Sequence, residues 1–256
     1  MNPTLLLPLV ELNYIEVFSL LDGVQGSVWN ETEKQADLKT GAPYHIMNGV
    51  YYSHFSKDEI DVEIQRIKTV YKGTPMFWRV GELTDYRDIL VEKLLASGFE
   101  QNAPLVAMSI DTAEVSDESV KDSILIKRIS SADQFEDWHG PWAKAFGYEG
   151  NVIDLNKEAM QKRPDAYHSF VLYSDGKPVA SSSIYFTQLL PAIYNVSVLP
   201  EFQGKGFGRT VVDFTVKVAL GFGYDQVGLH CRKDLQDFYR KIGFKYLGDY
   251  ELFSLN

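Results

Sequence analysis

Hydrophobic positions along this chain switch repeatedly between helical and extended spacing. Residues 8–21 form an apolar stretch read as a helix, and HIMNGVYYSHF (45–55) reads as a strand. SKDE (56–59) then offers a capping box from Ser56 to Glu59. Ile60, Ile64, Ile67 and Tyr71 follow at helical spacing, and Gly73-Thr74-Pro75 stops that helix. MFWRV (76–80) predicts a strand. Ile89, Leu90, Leu94 and Leu95 predict a second helix, ended by Gly98, and PLVAMSI (104–110) predicts another strand.

The second half alternates more clearly. ILIKRI (124–129) is a strand, SADQFEDWHGPWAKAFG a helix broken near Gly140-Pro141, and DLNKEAMQKR (154–163) a short helix. HSFVLYSDGKPVASSSIYF reads as a hairpin turning at Asp175-Gly176. AIYNVSVL (192–199) is a strand, RTVVDFTVKVAL (209–220) a helix and QVGLHC (226–231) a strand. DLQDFYRKIG (234–243) is a helix capped by Gly243, and FKYLGDYELFSL a last strand pair. The pattern predicts an α/β (α+β) fold class, a mixed sheet with helices on both faces.

Between the halves, DTAEVSDESVKDS (111–123) is polar, mostly acidic and without sustained periodicity, as a linker would be. A length of 256 residues suits two domains, placed here at 1–118 and 119–256. Residues 1–122 carry 10 Lys+Arg against 20 Asp+Glu, whereas 123–256 carry 15 of each. Neither half has the basic excess a nucleic-acid binder needs. The acidic half would attract a cationic substrate, although a solvated surface is the plainer reading. No apolar run is long enough for a membrane span, and LLLPLV lacks the basic flank of a signal peptide. The single cysteine, Cys231, fits a reducing, cytoplasmic setting, and no metal-ligand spacing occurs. Oligomeric state stays open.

PEFQGKGFGRT (200–210) is the most informative stretch. Its glycines, between a strand and a helix, free the backbone to expose successive amides at a helix N-terminus, an arrangement that cradles phosphate. Lys205 and Arg209 add charge. The G-x-x-x-x-G-K-[ST] pattern is absent. A dinucleotide fingerprint starting at Gly204 fails because Arg209 replaces its third glycine and Asp225 precedes a strand instead of ending one.

VLPEFQGKGFG resembles the coenzyme-A motif of the GNAT N-acetyltransferase superfamily, with Gln203, Gly206 and Gly208 filling its positions and Val198 and Pro200 matching the strand end before it. FYRKIGF (238–244) resembles that family's later Tyr-x-x-x-Gly-Phe signature. The resemblance covers roughly 123–256. It implies two splayed strands with acetyl-CoA between them. The pantetheine would pair with the strand edge at Val196 and Val198, and the diphosphate would meet the amides of Gln203, Gly204, Lys205, Gly206, Phe207, Gly208 and Arg209. A main-chain amide near Val196 would polarise the thioester. Tyr239 would protonate the leaving thiolate; the alternative is an inward-packing helix aromatic.

The implied reaction is acetyl transfer to a primary amine of a small molecule or peptide. The alternatives are a non-catalytic acyl-CoA-binding or regulatory protein and a transferase of longer acyl or aminoacyl groups. The base is not visible. The strand before the loop carries no acid, Asn195 and Ser197 share a face on which to hold a water, and Glu149 and Asp154 are weaker candidates. Arg232 stands where relatives often carry asparagine. Cys231, His139, His168 and His230 read as structural, and Trp138, Trp142, Phe146 and Tyr148 mainly as core near the acceptor side. LLASGFE (94–100) lines up with YRKIGFK (239–245), so the first half reads as a degenerate copy without the coenzyme loop.

Overall fold

The computed structural model describes residues 3–115 and 123–256, apart from the side chains of residues 3, 4 and 132. The expected boundary at 118/119 therefore lies outside the described residues. Two compact units form. One comprises Asn2–Ala107, Cys231–Leu235 and Leu247–Asn256; the other comprises Met108–His230 and Gln236–Tyr246. They are called the N-terminal and C-terminal units below.

The N-terminal unit begins with α1 (Pro3–Ser19), followed by the hairpin β1 (Val28–Glu31) and β2 (Gln35–Lys39). The hydrophobic pattern did not foretell this hairpin, because β1 is largely solvent-exposed and carries little apolar alternation. Then come β3 (Asn48–Ser53), α2 (Ile60–Val70), β4 (Met76–Val80), α3 (Arg87–Ala96) and β5 (Glu100–Asp111). β11 (Lys245–Leu255) supplies one more strand, giving the order β1-β2-β3-β4-β11-β5. The expected terminal strand pair is one long strand, whose residues 251–255 run antiparallel to β4.

Met76, Trp78 and Val80 alternate onto the face covered by α2 and α3, where Ile60, Ile64, Ile67, Leu90 and Leu94 complete a core. Arg79 points to the opposite face. Its guanidinium is fully buried and stacks 4.0 Å from the Tyr51 ring, while Nη2 donates to the Ile46 carbonyl at 2.8 Å. Glu11 of α1 accepts the amides of Glu82 (2.8 Å) and Leu83 (3.1 Å).

The C-terminal unit contains β6 (Ile124–Arg128), α4 (Ala132–Phe146), α5 (Asn151–Lys162), β7 (Tyr167–Ser174), β8 (Lys177–Tyr185), β9 (Ala192–Val198), α6 (Phe207–Gly221), β10 (Gln226–Arg232, to His230) and α7 (Gln236–Ile242). Its strand order is β5-β10-β9-β8-β7-β6. The hairpin turn falls at Asp175-Gly176, both with positive φ. α4 is not broken at Pro141. Proline removes one helical hydrogen bond, but the flanking Trp138 and Trp142 are both buried and hold the turn in register. The Ser181-Ser182-Ser183 run in β8 is wholly buried, each hydroxyl paired: with Ser197 (2.6 Å), Thr215 (2.7 Å) and Ser169 (2.7 Å). Ser182 reaches Thr215 of α6, whereas Ser183 lies on the face of α4 and α5, so helices cover both faces.

The two units share local devices. β3 and β4 pair in parallel over only two positions, Gly49↔Phe77 and Val50↔Trp78; β9 and β10 do the same over Ala192↔Gly228 and Ile193↔Leu229. α3 and α7 end alike: Phe99 N–H donates to the Leu94 carbonyl and Phe244 N–H to the Tyr239 carbonyl, each at 3.1 Å, past Gly98 and Gly243 with positive φ.

Two measurements follow. A Cβ at Gly49 would lie 1.8 Å from the Phe77 carbonyl oxygen at φ +123°, so Gly49→Ala must part β3 from β4. A loss of more than about 3 kcal/mol, read by urea denaturation, is expected. Burial raises the Glu11 carboxyl from its usual 4.5 to about 7. The folded state therefore holds this proton more tightly than the unfolded one. Stability contributed at low pH is lost as pH rises from 4.5 to 7, by on the order of 3 kcal/mol, and Glu11→Gln should flatten that slope in a pH series of urea titrations.

Candidate active site

The site is built on the parting of β9 and β10 in the C-terminal unit. After Ile193 and Leu229 the two strands no longer pair, while β9 keeps β8 on its other side as far as Val198. The departure coincides with an irregularity in β9. Between Ser183↔Tyr194 and Ser181↔Ser197, β8 advances two residues and β9 three. Asn195 takes φ 56°, so β9 carries a bulge with asparagine in the left-handed region. The Asn195 Oδ1 accepts from Trp142 Nε1 at 3.1 Å, and its Nδ2 donates to the Tyr167 hydroxyl at 3.0 Å. A left-handed residue costs about 1–2 kcal/mol. Two hydrogen bonds at about 0.5–1.5 kcal/mol each offset most of that.

Beyond Val198 the chain makes a single tight turn, Pro200–Phe202, and Gln203 is extended at φ −66°, ψ 158°. Gln203 Nε2 donates to the Val198 carbonyl at 3.3 Å, tying the loop to the end of β9. Gly204 (φ 74°) and Gly206 (φ 91°) need the freedom of glycine. Gly208 serves differently: a Cβ there would meet Phe238 Cζ at 3.3 Å and Val198 Cγ2 at 3.4 Å. Its lack of a side chain lets the first turn of α6 pack on α7 and β9.

α6 has no side-chain cap, and Thr210 is the first residue whose amide is paired, to the Gly206 carbonyl at 3.0 Å. Among the described residues, the amides of residues 204–209 make no hydrogen bond, and 204–206 are solvent-exposed. A 15-residue helix therefore presents its positive end and a run of open donors to solvent. Lys205 is exposed, its Nζ 4.8 Å from the Phe202 ring centroid. Arg209 is engaged with Asp213 Oδ2 and the Lys241 carbonyl, each at 3.3 Å.

The remaining expected residues sort by environment. Val196 and Val198 pack their side chains beside Phe202 and Phe207 on a core of Leu172, Val179, Ala180 and Val211. Tyr239 is buried in α7, its ring 4.9 Å from Phe238 and 5.6 Å from Phe244. Ser197 and Asn195 each spend their polar atoms on protein partners. Glu149 and Asp154 are on the surface. Trp138 and Trp142 stack in the core at 5.3 Å, whereas Phe146 is 46% exposed and lies parallel to Tyr148 at 5.6 Å. His230 follows the last paired residue of β10 and is half-buried; His168 meets the Asp165 carbonyl at 3.0 Å, and burial lowers its pKa. Burial pushes the Cys231 thiol up to about 12, far from a thiolate. Arg232 forms a two-pronged pair with Asp234 at 2.7 and 3.0 Å.

The equivalent position of the N-terminal unit is built otherwise. The loop from β3 to α2 has no glycine, and the Glu59 carboxylate itself accepts the Ser56 amide at 3.0 Å. Ser56 Oγ donates to the same carboxylate at 2.8 Å, where the expected capping box would have it accept from the Glu59 amide. A carboxylate already stands at this helix start, and Asp61 and Glu63 add further negative charge in the first turn.

Splayed strands, a bulge and an open helix start make a GNAT-like fold. Residues 131–244 match the family model "Acetyltransferase (GNAT) family". A GCN5-related N-acetyltransferase from Kribbella flavida is similar over 96% of this chain and 94% of its own, at 14% identity and TM-score 0.73. A functionally unknown conserved protein from Staphylococcus epidermidis matches at 18% identity over 88% and 91%, TM-score 0.65. A putative GNAT-family acetyltransferase from Novosphingobium aromaticivorans matches at 14% identity over 98% and 96%, TM-score 0.57. These coverages extend the fold likeness to the N-terminal half. No curated protein matches. Among the described residues no group of His, Cys, Asp or Glu is arranged to hold a metal ion, and no helix is long and apolar enough to cross a membrane.

Trp142→Ala would remove both a buried ring and the hydrogen bond to Asn195. A loss of about 3–5 kcal/mol in chemical denaturation is expected.

Proposed function

We propose that this protein is an acetyl-CoA-dependent N-acetyltransferase that moves an acetyl group to a primary amine by direct attack on the thioester. The observation that carries the reading is the run of open amides at 204–209, beside the parted ends of β9 and β10. Those amides and Lys205 suit the diphosphate of coenzyme A. The edge of β9 at Val196 and Val198, left without a strand partner by β10, suits the amide groups of pantetheine, which would add as a short strand and share the Val198 carbonyl with Gln203 Nε2. The working part is residues 119–256. Residues 1–118 are a degenerate copy, whose corresponding helix start is already taken by a carboxylate.

In the reaction the amine nitrogen bonds to the acyl carbon as the carbon–sulfur bond breaks. The nitrogen gives up a proton to solvent, the departing sulfur takes one from Tyr239, and the resulting tyrosinate is reprotonated from solvent. An alkylammonium has a pKa of about 10.4, so the acceptor loses its proton before or during attack. The Val196 amide holds the developing oxyanion. The acceptor is a small or peptide amine, and the acidity of residues 1–122 favours a cationic one. We assign the protein to a reducing cytoplasm on the strength of its lone, buried cysteine.

One observation favours a second reading, non-catalytic acyl-CoA binding: β9 carries no carboxylate, and Asn195 and Ser197 are committed to protein partners. Calorimetry with acetyl-CoA, followed by a thiol-release assay over a panel of amines, separates the two. Binding with thiol release supports the transferase, and binding without release across a broad panel supports the second reading. No binding at tens of micromolar removes both. In the transferase, Tyr239→Phe should lower kcat by about 10²-fold with little change in acetyl-CoA affinity.

A further inference from the structure

The β9 bulge rests on a residue held at both ends of its side chain. We propose that Asn195 is a positioning residue: it keeps β9 in its bulged path and so turns the Val196 amide to the unpaired edge, toward the carbonyl of a bound thioester. This rests on the acetyl-CoA reading above.

Three observations converge on it. The β8–β9 register slips by one residue at 195–196, and a bulge leaves its extra residue out of the ladder. β10 has parted from β9 by this point and takes no hydrogen bond from that side. Asn195 holds φ 56° while Trp142 of α4 and Tyr167 of β7 grip its amide group. Glycine would adopt the same φ but hold nothing. Valine would neither adopt it nor make the two bonds. Trp142 and Tyr167 are both buried, so little water competes for these bonds. The path of the strand is thus set from two other elements. Asn195 acts only through the neighbouring amide, and a donor aimed in advance at a developing oxyanion needs such fixing.

The test compares acetyl-CoA, which carries the carbonyl, with free coenzyme A, which does not. Calorimetry on the parent should show tighter binding of acetyl-CoA. Asn195→Val should weaken acetyl-CoA about tenfold and coenzyme A less than about twofold, abolishing the preference. Tyr167→Phe keeps the ring and removes one tie. It should narrow the preference about threefold with a Tm lower by about 2–4 °C, and it carries the test alone if Asn195→Val does not fold. An unchanged preference, or equal weakening of both ligands, overturns the proposal, since a merely structural role moves both alike. A parent that binds both equally overturns it while leaving the coenzyme reading intact. A parent that binds neither removes that reading and this proposal with it.

Discussion

The limit on β9–β10 pairing governs the working end of the C-terminal unit. Parallel strands in a sheet normally continue to satisfy one another's main-chain groups, and leaving them unmatched is costly unless something else takes the bonds. Here the pairing stops after two positions, where β9 takes in an extra residue, and Asn195, Trp142 and Tyr167 hold that detour. The strand edge and the helix start beyond it then face solvent with open donors. The strand edge follows from that early parting, and the open helix start from Gly204, Gly206 and the missing side-chain cap of α6.

Much of this was legible in the chain. Period-2 and period-3.6 apolar spacing located most of the strands and helices, because each buries one face against a core. The glycines at 204 and 206 were readable because only glycine rests easily at their φ. Less was legible where side chains act through distant partners. Nothing in YNVSV announces a bulge, since Asn195 is tied down by residues 53 and 28 positions away. The hairpin at 28–39 was hidden by the exposure of β1, and the continuity of α4 through Pro141 by two tryptophans whose burial outweighs a lost hydrogen bond. Capping at Ser56 was half right: the glutamate folds back, but as an acceptor of both serine groups.

The likeness between the halves is one of devices more than of residues. A two-position parallel pair and a Gly-Phe helix ending recur, yet Tyr239 is matched by Leu94 and the glycine loop by a glutamate-filled turn. Backbone geometry outlasts side-chain chemistry in such a pair, because it is held by burial and hydrogen bonding along whole elements. The amides at one helix start stay open, while at the other an internal acid already occupies the position an anion would need.

The placement of β11 bears on how the protein is made. Residues 251–255 are the antiparallel neighbours of β4, which is synthesised some 170 residues earlier. At roughly 5–20 residues per second, that stretch leaves one edge of β4 without its partner for on the order of ten seconds or more during synthesis. The half made first is therefore the half completed last, and its unfinished strand edge must stay clear of other nascent chains in the interval.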